Sequence, residues 1–196
     1  MDHMASEMRI YDSANRRLYI NGAERERLLT TLNTAPEPIR VFGLLLIYTG
    51  CRLSEARELK PSSVQRLGRV VAFRTLKKRR QNHIREVPIP AQFAEDLNVF
   101  LAKIPAGSFV WSHDGKMVNR ATAYRWVKRA MSKAEISGAQ ACPKGLRHGY
   151  GIHAVRTGVQ LNMLSKWMGH ASINTTSIYA NAVGAEELEM ADRMWQ

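Results

Sequence analysis

The chain has 196 residues, 45% of them hydrophobic and 23% charged, a composition that suits one well-cored domain and excludes a disordered or fibrous protein. Its 29 Lys and Arg against 17 Asp and Glu give a net charge of +12, so the expected partner is a polyanion. No apolar run is long enough to span a membrane, and the two cysteines make no disulfide framework, which favours a reducing cytoplasm.

The positive charge is unevenly distributed along the chain. Residues 115–185 contain ten Lys and Arg and a single acid, Glu135. A second basic stretch, residues 74–85, has six Lys and Arg and no acid, whereas residues 186–196 have four acids and one arginine. Solvated surface charge explains any one basic residue, but a long window with almost no acids indicates a surface for nucleic acid.

Hydrophobic periodicity predicts a mainly α protein with a small antiparallel β-sheet, an α+β class. Helical patterns cover residues 23–32, 37–49, 52–59, 91–104, 119–133, 145–157, 160–168, 173–181 and 185–194. Residues 70–74 and 84–87 are rich in β-formers and predict a hairpin with a basic tip, and residues 109–111 are considered as a further short strand. Residues 1–6 (MDHMAS) resemble an expression tag or cloning scar, so the single domain is taken as 7–196.

Four short segments carry the candidate chemistry. They are TGCRLSEARELK at 49–60, TLKKRR at 75–80, PKGLRHGYGIHAVRTG at 143–158 and MGHASINTTSIYANA at 168–182. In this order, and with Tyr179 nine residues after His170, they resemble the catalytic domain of the tyrosine recombinase (phage integrase) family, over roughly residues 18–196. The resemblance implies a site-specific recombinase that cleaves and rejoins DNA through a 3′-phosphotyrosine.

The resemblance also assigns catalytic roles to residues of this chain. Arg52 and Arg147 correspond to the two catalytic arginines, and Glu55 to the acidic residue that accompanies the first. His170 matches the histidine that precedes the nucleophile, and Tyr179 matches the nucleophile itself.

The lysines of the site are less closely fixed by the resemblance. The hairpin lysine is placed at Lys77, with Lys78 as the alternative. Lys144 stands where these recombinases usually have histidine, and a lysine at that position is similar to what type IB topoisomerases use. His148 adjoins Arg147 and is interpreted, like His113 and His153, as structural.

Elementary chemistry agrees with these roles. Two arginines can clamp the non-bridging oxygens of a phosphodiester as negative charge develops on them. A phenol with a pKa near 10 needs a proton acceptor, for which His170 and Lys144 are the candidates, and a hairpin lysine can protonate the departing 5′-oxygen. Because the bond energy is kept in the phosphotyrosine, no metal, ATP or other cofactor is expected.

The expected partner is double-stranded DNA, gripped by basic residues outside the catalytic set. These are Lys78, Arg79, Arg80, Arg120, Arg125, Lys128 and Arg129. The family resemblance further implies a homo-tetramer on paired DNA sites, with the isolated domain monomeric without DNA, in a prokaryotic cytoplasm. The acidic segment 185–196 either docks on a neighbouring protomer or folds back on its own domain.

The sequence is also compatible with two other functions. A type IB topoisomerase shares the covalent step but reseals one strand. The helices at 145–157 and 160–168 also resemble a helix-turn-helix, which would suit a non-catalytic DNA-binding module. The DNA-clamping domain that usually precedes the catalytic domain is absent from the sequence, so the chain is either a truncation or a naturally minimal recombinase.

Overall fold

Helices dominate the computed structural model, which describes residues 9–65, 67–74, 84–182 and 185–195. Their bounds are α1 Gly22–Asn33, α2 Glu37–Thr49, α3 Leu53–Arg57, α4 Ala91–Leu101, α5 Arg120–Lys133, α6 Pro143–Arg156, α7 Leu161–Met168, α8 Asn174–Ser177 and α9 Ala185–Asp192. Short 3₁₀ helices cover Pro61–Ser63 and Ile178–Asn181. The predicted fold class, mainly α with a small antiparallel sheet, is confirmed.

The described residues also form two antiparallel sheets. The first contains β1 (Val64–Gln65), β2 (Val70–Arg74) and β3 (Ile84–Pro88) in that order, and the second pairs β4 (Ser112–His113) with β5 (Lys116–Met117). In the first sheet Val71 is opposite Val87, and Phe73 is opposite Arg85. The predicted hairpin is therefore present, while its tip, residues 75–83 with Lys77, Lys78, Arg79 and Arg80, lies outside the described residues.

The helix α2 is the centre of the packing. It is buried on nearly all sides and contacts α1, α4, α5 and α6, as expected for a helix with apolar residues all round. It ends at Gly50, whose φ of 57° lies in the left-handed region that glycine adopts without strain. The chain then enters α3, so Arg52 and Glu55 follow directly after the end of the core helix.

Two groups of buried side chains form the core. The larger one joins α1, α2, α4 and α5 to the inner face of the first sheet, and the smaller one lies between α6, α7 and the 3₁₀ helix that carries Tyr179. The helix α6 contributes Leu146 to the first group and Ile152 to the second. Residues of α6 that lie between these two positions are thereby placed at the junction of the two cores.

Some predicted bounds were wrong. The short strand is at Ser112–His113 instead of residues 109–111, because Asp114 and Gly115, both with positive φ, form the two-residue turn to β5. The helix predicted for 91–104 ends at Leu101, ahead of Pro105. The predicted helix 173–181 divides into α8 and a 3₁₀ helix, which changes the direction in which Tyr179 is presented.

Candidate active site

Arg147 is the side chain on which the site converges. Its Nη1 donates to the carbonyl of Gly50 at 2.6 Å, and its Nη2 donates to the carbonyl of Met168 at 2.7 Å. The residue is only 9% exposed. Burial lowers the pKa of Arg147 to about 10, and the charge of Arg52 acts in the same direction, but the guanidinium stays protonated at neutral pH. Arg147 thus joins the end of α2 to the end of α7 with a buried positive charge.

His170 is oriented by two neighbours. Its Nε2 lies 3.1 Å from Arg147 Nη2, and its Nδ1 lies 2.8 Å from the hydroxyl of buried Thr176. Since a guanidinium can only donate, Nε2 must accept, and the proton of the neutral ring is on Nδ1. Burial lowers the pKa of His170 to about 3, with the charge of Arg147 adding to the effect. In this arrangement His170 is a neutral imidazole.

Glu55 is a buried carboxylate shared by two arginines. Arg85 binds it through two hydrogen bonds of 3.0 and 2.7 Å. Arg52 contributes its backbone N–H at 2.7 Å and its Nη1 at 3.0 Å. Burial alone would raise the pKa of Glu55, but the hydrogen bonds and charge of Arg85, followed by those of Arg52, outweigh it and lower the pKa. Glu55 is therefore ionised.

Arg52 differs from the other two arginines in its exposure. It caps the start of α3 in extended conformation, and Glu55 in the first turn completes the cap. Its side chain is 36% exposed, whereas that of Arg85 is 1% exposed. Of the arginines around Glu55, Arg52 is the one that a phosphate in solvent can reach directly.

Arg85 was missed as an individual residue by the sequence analysis, which counted it among the basic charges of the hairpin. Its Nε donates to the carbonyl of Trp167 at 2.8 Å, and its guanidinium lies over the ring of Phe73. The sequence did contain a signal. Alternation along β3 places Arg85 on the same buried face as Val87, and a charge at such a position requires a buried partner.

Tyr179 is fully buried, with 0% of its surface exposed. Its hydroxyl lies 3.2 Å from Nδ1 of His148, and its ring is stacked on that of His170 with 6.2 Å between centroids. Burial raises the pKa of Tyr179 to about 12, although the charges of Arg147 and Arg52 act in the opposite direction. The contact with His148, which had been interpreted as a neighbour of Arg147, was not anticipated.

The remaining predicted residues that the structure describes lie at the surface. Lys144, in the first turn of α6, is exposed. The exposed positions of α5 predicted for DNA are Arg120, Arg125, Lys128 and Arg129. Lys128 donates to the carbonyl of Ala141 at 2.7 Å, which ties it to the segment before α6. The structure therefore places Arg52, Glu55, Arg147, His170 and Tyr179 together, with Lys144 and the α5 cations outside this cluster.

The structure also bears on the helix-turn-helix interpretation of α6 and α7. Residues 145–149 of α6 are all buried; Leu146 belongs to the larger core group, and Arg147 and His148 lie in the site. In a helix-turn-helix the second helix enters the major groove, and in this interpretation the second helix is α7, which exposes Asn162, Met163 and Lys166. In this chain the first part of α6 is a core helix that supports the site.

The described ranges contain neither a metal-binding cluster nor a membrane-spanning helix. No three His, Cys, Asp or Glu side chains of residues 9–65, 67–74, 84–182 and 185–195 are grouped so as to hold a metal ion. In the same ranges no helix combines the length and apolar character that a membrane span requires.

Known proteins resemble this chain in sequence and in fold. The family model described as "Phage integrase family" matches residues 19–185. The chain belongs to the phage integrase family. A curated relative, "Tyrosine recombinase" of Thermosipho africanus, is 28% identical over 150 residues, or 76% of this chain and 52% of the relative. The chain spans about half the length of the curated relatives it matches.

Solved structures share the fold. The crystal structure of XerA recombinase superposes with a TM-score of 0.78 at 22% identity, covering 91% of this chain and 65% of that one. The XerH site-specific recombinase, bound to its difH substrate in a pre-cleavage complex, gives 0.75 at 19% identity, covering 95% and 60%. These likenesses establish the architecture of the domain.

Removing Arg85 should destabilise the whole cluster. Arg85→Met leaves Glu55 buried with Arg52 as its remaining partner in the cluster, so we expect the free energy of unfolding to fall by about 3 kcal/mol. The measurement is urea unfolding followed by circular dichroism. Arg74→Met, at the exposed end of β2, is the matched control and should change stability by less than about 0.5 kcal/mol. Equal stability of the two variants would contradict the importance of the buried pair.

Stability should fall on mild acidification. Burial lowers the pKa of His148 and His153 to about 4 and that of His170 to about 3. In the unfolded chain the pKa of a histidine is near 6.5, so below this pH the unfolded chain binds more protons than the folded one. The stability that these histidines contribute at neutral pH is therefore lost as the pH falls below about 6.5. The depressed pKa of Glu55 adds a further loss below about pH 4.3.

The check is the melting temperature between about pH 7.5 and about pH 5.5, before most carboxylates titrate. We expect a steady decrease across this range. His153→Gln removes one of the three histidines without touching the cluster around Arg147, and it should make the decrease shallower. A melting temperature that does not change over the range would show that the histidines are not held neutral.

Proposed function

We propose that this chain is the catalytic domain of a site-specific DNA recombinase, which cleaves and rejoins DNA strands through a 3′-phosphotyrosine at Tyr179. The observation that supports this most strongly is the convergence of Arg52, Arg147, His170 and Tyr179 from four separate elements onto one cluster. Arg147 hydrogen-bonds His170, and His170 stacks on Tyr179. A tyrosine beside two arginines and a neutral imidazole suits phosphoryl transfer to a phenol.

The proposed reaction is a transesterification. The Tyr179 oxygen attacks a backbone phosphorus, a new oxygen–phosphorus bond forms, and the bond from phosphorus to the 5′-oxygen breaks. One proton leaves the phenol and one is delivered to the departing 5′-oxygen. Because a phosphodiester is consumed and a phosphodiester is formed, the reverse attack by a 5′-hydroxyl rejoins the strand without an external energy source.

The arginines supply the electrostatic part of this proposal. The transition state places extra negative charge on the non-bridging oxygens, and fixed cations stabilise it without reorganisation. Arg52 is partly exposed and can bind one oxygen directly, while Arg147 is held rigid by two backbone carbonyls. Three arginines around the one carboxylate of Glu55 leave a net positive charge in the cluster, as a phosphodiester requires.

Proton transfer is assigned to His170, Lys144 and a hairpin lysine, which are not assigned to phosphate binding. His170 already accepts from Arg147 through Nε2, so it becomes a proton acceptor only if phosphate draws Arg147 away. Lys144 is exposed on the first turn of α6 and is the second candidate. We assign protonation of the 5′-oxygen to Lys77 or Lys78 of the hairpin, as the family resemblance implies.

Double-stranded DNA is the proposed partner, and a tetramer on paired sites the proposed assembly. The basic residues of α5 and the hairpin support DNA binding, and the XerH structure with the same fold is a DNA complex. The helix α9 packs on α6 of its own chain, where Arg156 donates to Glu189 at 2.6 Å. Arg193, which follows α9 directly, donates to the carbonyl of Val155 in α6. The outer side of α9 nevertheless exposes Leu188, and Met194 and Trp195 follow it, more than 65% exposed.

The test of the proposed reaction is a denaturing gel after incubation with a nicked suicide duplex, selected from a randomised pool by retention on the protein. The wild-type chain should give a covalent protein–DNA adduct. Tyr179→Phe lacks the attacking oxygen and should reduce adduct by at least about a thousandfold while keeping DNA affinity. Tyr48→Phe, on α2, is the matched control and should react normally. Equal adduct from the wild type and Tyr179→Phe would rule the proposal out.

The apolar end of the chain provides a test of assembly. Leu188→Ser with Trp195→Ser removes exposed apolar surface while leaving the contacts of α9 to α6 in place. If that surface docks on a neighbouring protomer, complexes with two DNA sites should weaken by about tenfold in native gels, with cleavage of single sites kept. Val99→Ser, an exposed apolar residue of α4, is the control. If the amount of complex with two DNA sites does not change, this surface does not dock on a neighbouring protomer and α9 packs only on its own domain.

A further inference from the structure

The side chain of Tyr179 is buried, whereas the proposed reaction requires its hydroxyl to reach a DNA phosphate. Attack on phosphorus requires the phenol oxygen to touch the phosphate and to lie in line with the departing oxygen. Tyr179 has 0% of its surface exposed, so no DNA phosphate can reach its oxygen in this conformation. The side chain must therefore leave this position, or be uncovered, before any cleavage.

The resting position is defined by His148. The hydroxyl of Tyr179 lies 3.2 Å from His148 Nδ1, and His148 itself is 2% exposed. The other ring nitrogen, Nε2, is buried and has no hydrogen-bond partner among the described residues. Tyr179 therefore provides the only hydrogen bond that the described residues offer to this imidazole.

The direction of this hydrogen bond follows from the two groups. A phenol is a strong donor, and a neutral imidazole offers one acceptor nitrogen and one N–H. The favoured arrangement has the Tyr179 O–H donating to Nδ1, with the ring proton on Nε2. Burial lowers the pKa of His148 to about 4 and raises that of Tyr179 to about 12, so the proton stays on the phenol.

The backbone of α6 is shaped for the same position of Tyr179. Gly151 lies one turn after His148, and a Cβ at this residue would come within 2.7 Å of the Tyr179 ring. The imidazole of His170 is stacked on the same Tyr179 ring, with 6.2 Å between the ring centroids. Tyr179 thus rests in a pocket formed by α6 and His170, with His148 at the end that receives the hydroxyl.

We propose that His148 is a positioning residue that retains the Tyr179 hydroxyl in this buried resting position, and that the hydrogen bond between them must break before Tyr179 can attack DNA. The proposal rests on the proposed function, because it takes Tyr179 as the nucleophile. His148 contacts no phosphate in this account. It acts through Tyr179, because the strength of their hydrogen bond sets the fraction of molecules in which the Tyr179 hydroxyl has left its buried position.

Acetylation of tyrosine by N-acetylimidazole tests the contact without DNA. The rate of modification of Tyr179 in the full chain is followed by peptide mass spectrometry, with exposed Tyr124 and buried Tyr19 as internal references. His148→Leu removes the acceptor and should raise the rate for Tyr179 by about fivefold, the factor expected for the loss of one ordinary hydrogen bond. His148→Asn, whose Oδ1 replaces Nδ1 as acceptor, should restore a rate near that of the wild type.

The same variants are then compared for adduct formation on the selected suicide duplex. His148→Leu should form adduct about fivefold faster than the wild type in a single turnover, with unchanged DNA affinity, and His148→Asn should reverse the gain. If His148→Leu does not fold, His148→Met fills more of the space of the imidazole and carries the same expectation.

Three results would overturn the proposal. An unchanged acetylation rate in His148→Leu would show that the contact does not hold Tyr179. Faster acetylation with slower adduct formation would show that His148 supports the attacking geometry instead of the resting one. If neither the wild type nor any variant forms an adduct, the proposed function is wrong, and the role of His148 in the reaction is wrong with it. The acetylation rates would still show whether His148 holds the Tyr179 hydroxyl.

Discussion

The buried carboxylate of Glu55 is the constraint on which the cluster depends. Arginines repel one another, and a guanidinium deep in a protein is costly without a partner. Glu55 binds Arg85 and Arg52 directly and stabilises the charge of Arg147 from nearby. Glu55 thereby allows three guanidinium groups to lie close together where α6 contacts the ends of α2 and α7. Because three positive charges accompany one carboxylate, the cluster keeps a net positive charge that can bind a phosphate.

The same interaction links elements that are distant along the chain. Arg85 joins β3 to α3 through Glu55, and its Nε joins β3 to the end of α7 at Trp167. Arg147 completes the connection by holding the carbonyls of Gly50 and Met168. These bonds fix the positions of three parts of the site relative to one another: the β2–β3 hairpin, Arg52 and the turn that carries His170. A displacement of one part therefore displaces the others.

The sequence predicted the parts of this arrangement that depend on local pattern. The bounds of α2 followed from its continuous apolar periodicity, and the β2–β3 hairpin from its β-branched runs. The pairing of Glu55 with Arg85 could not be predicted in this way, because it joins residues 30 positions apart and depends on how the sheet packs on α3. The contact of His148 with Tyr179 could likewise not be predicted from the sequence, because the direction of the Tyr179 side chain is set by a 3₁₀ helix and not by the continuous α-helix that the pattern predicted.

In the proposed reaction the cluster makes Tyr179 a covalent nucleophile toward DNA. The most direct test of this role is to isolate the protein–DNA adduct, digest the protein and identify the DNA-linked peptide and the DNA end by mass spectrometry. We expect attachment at Tyr179 through a 3′-phosphate, together with a free 5′-hydroxyl on the released strand. Attachment at another residue, or through a 5′-phosphate, would contradict this role.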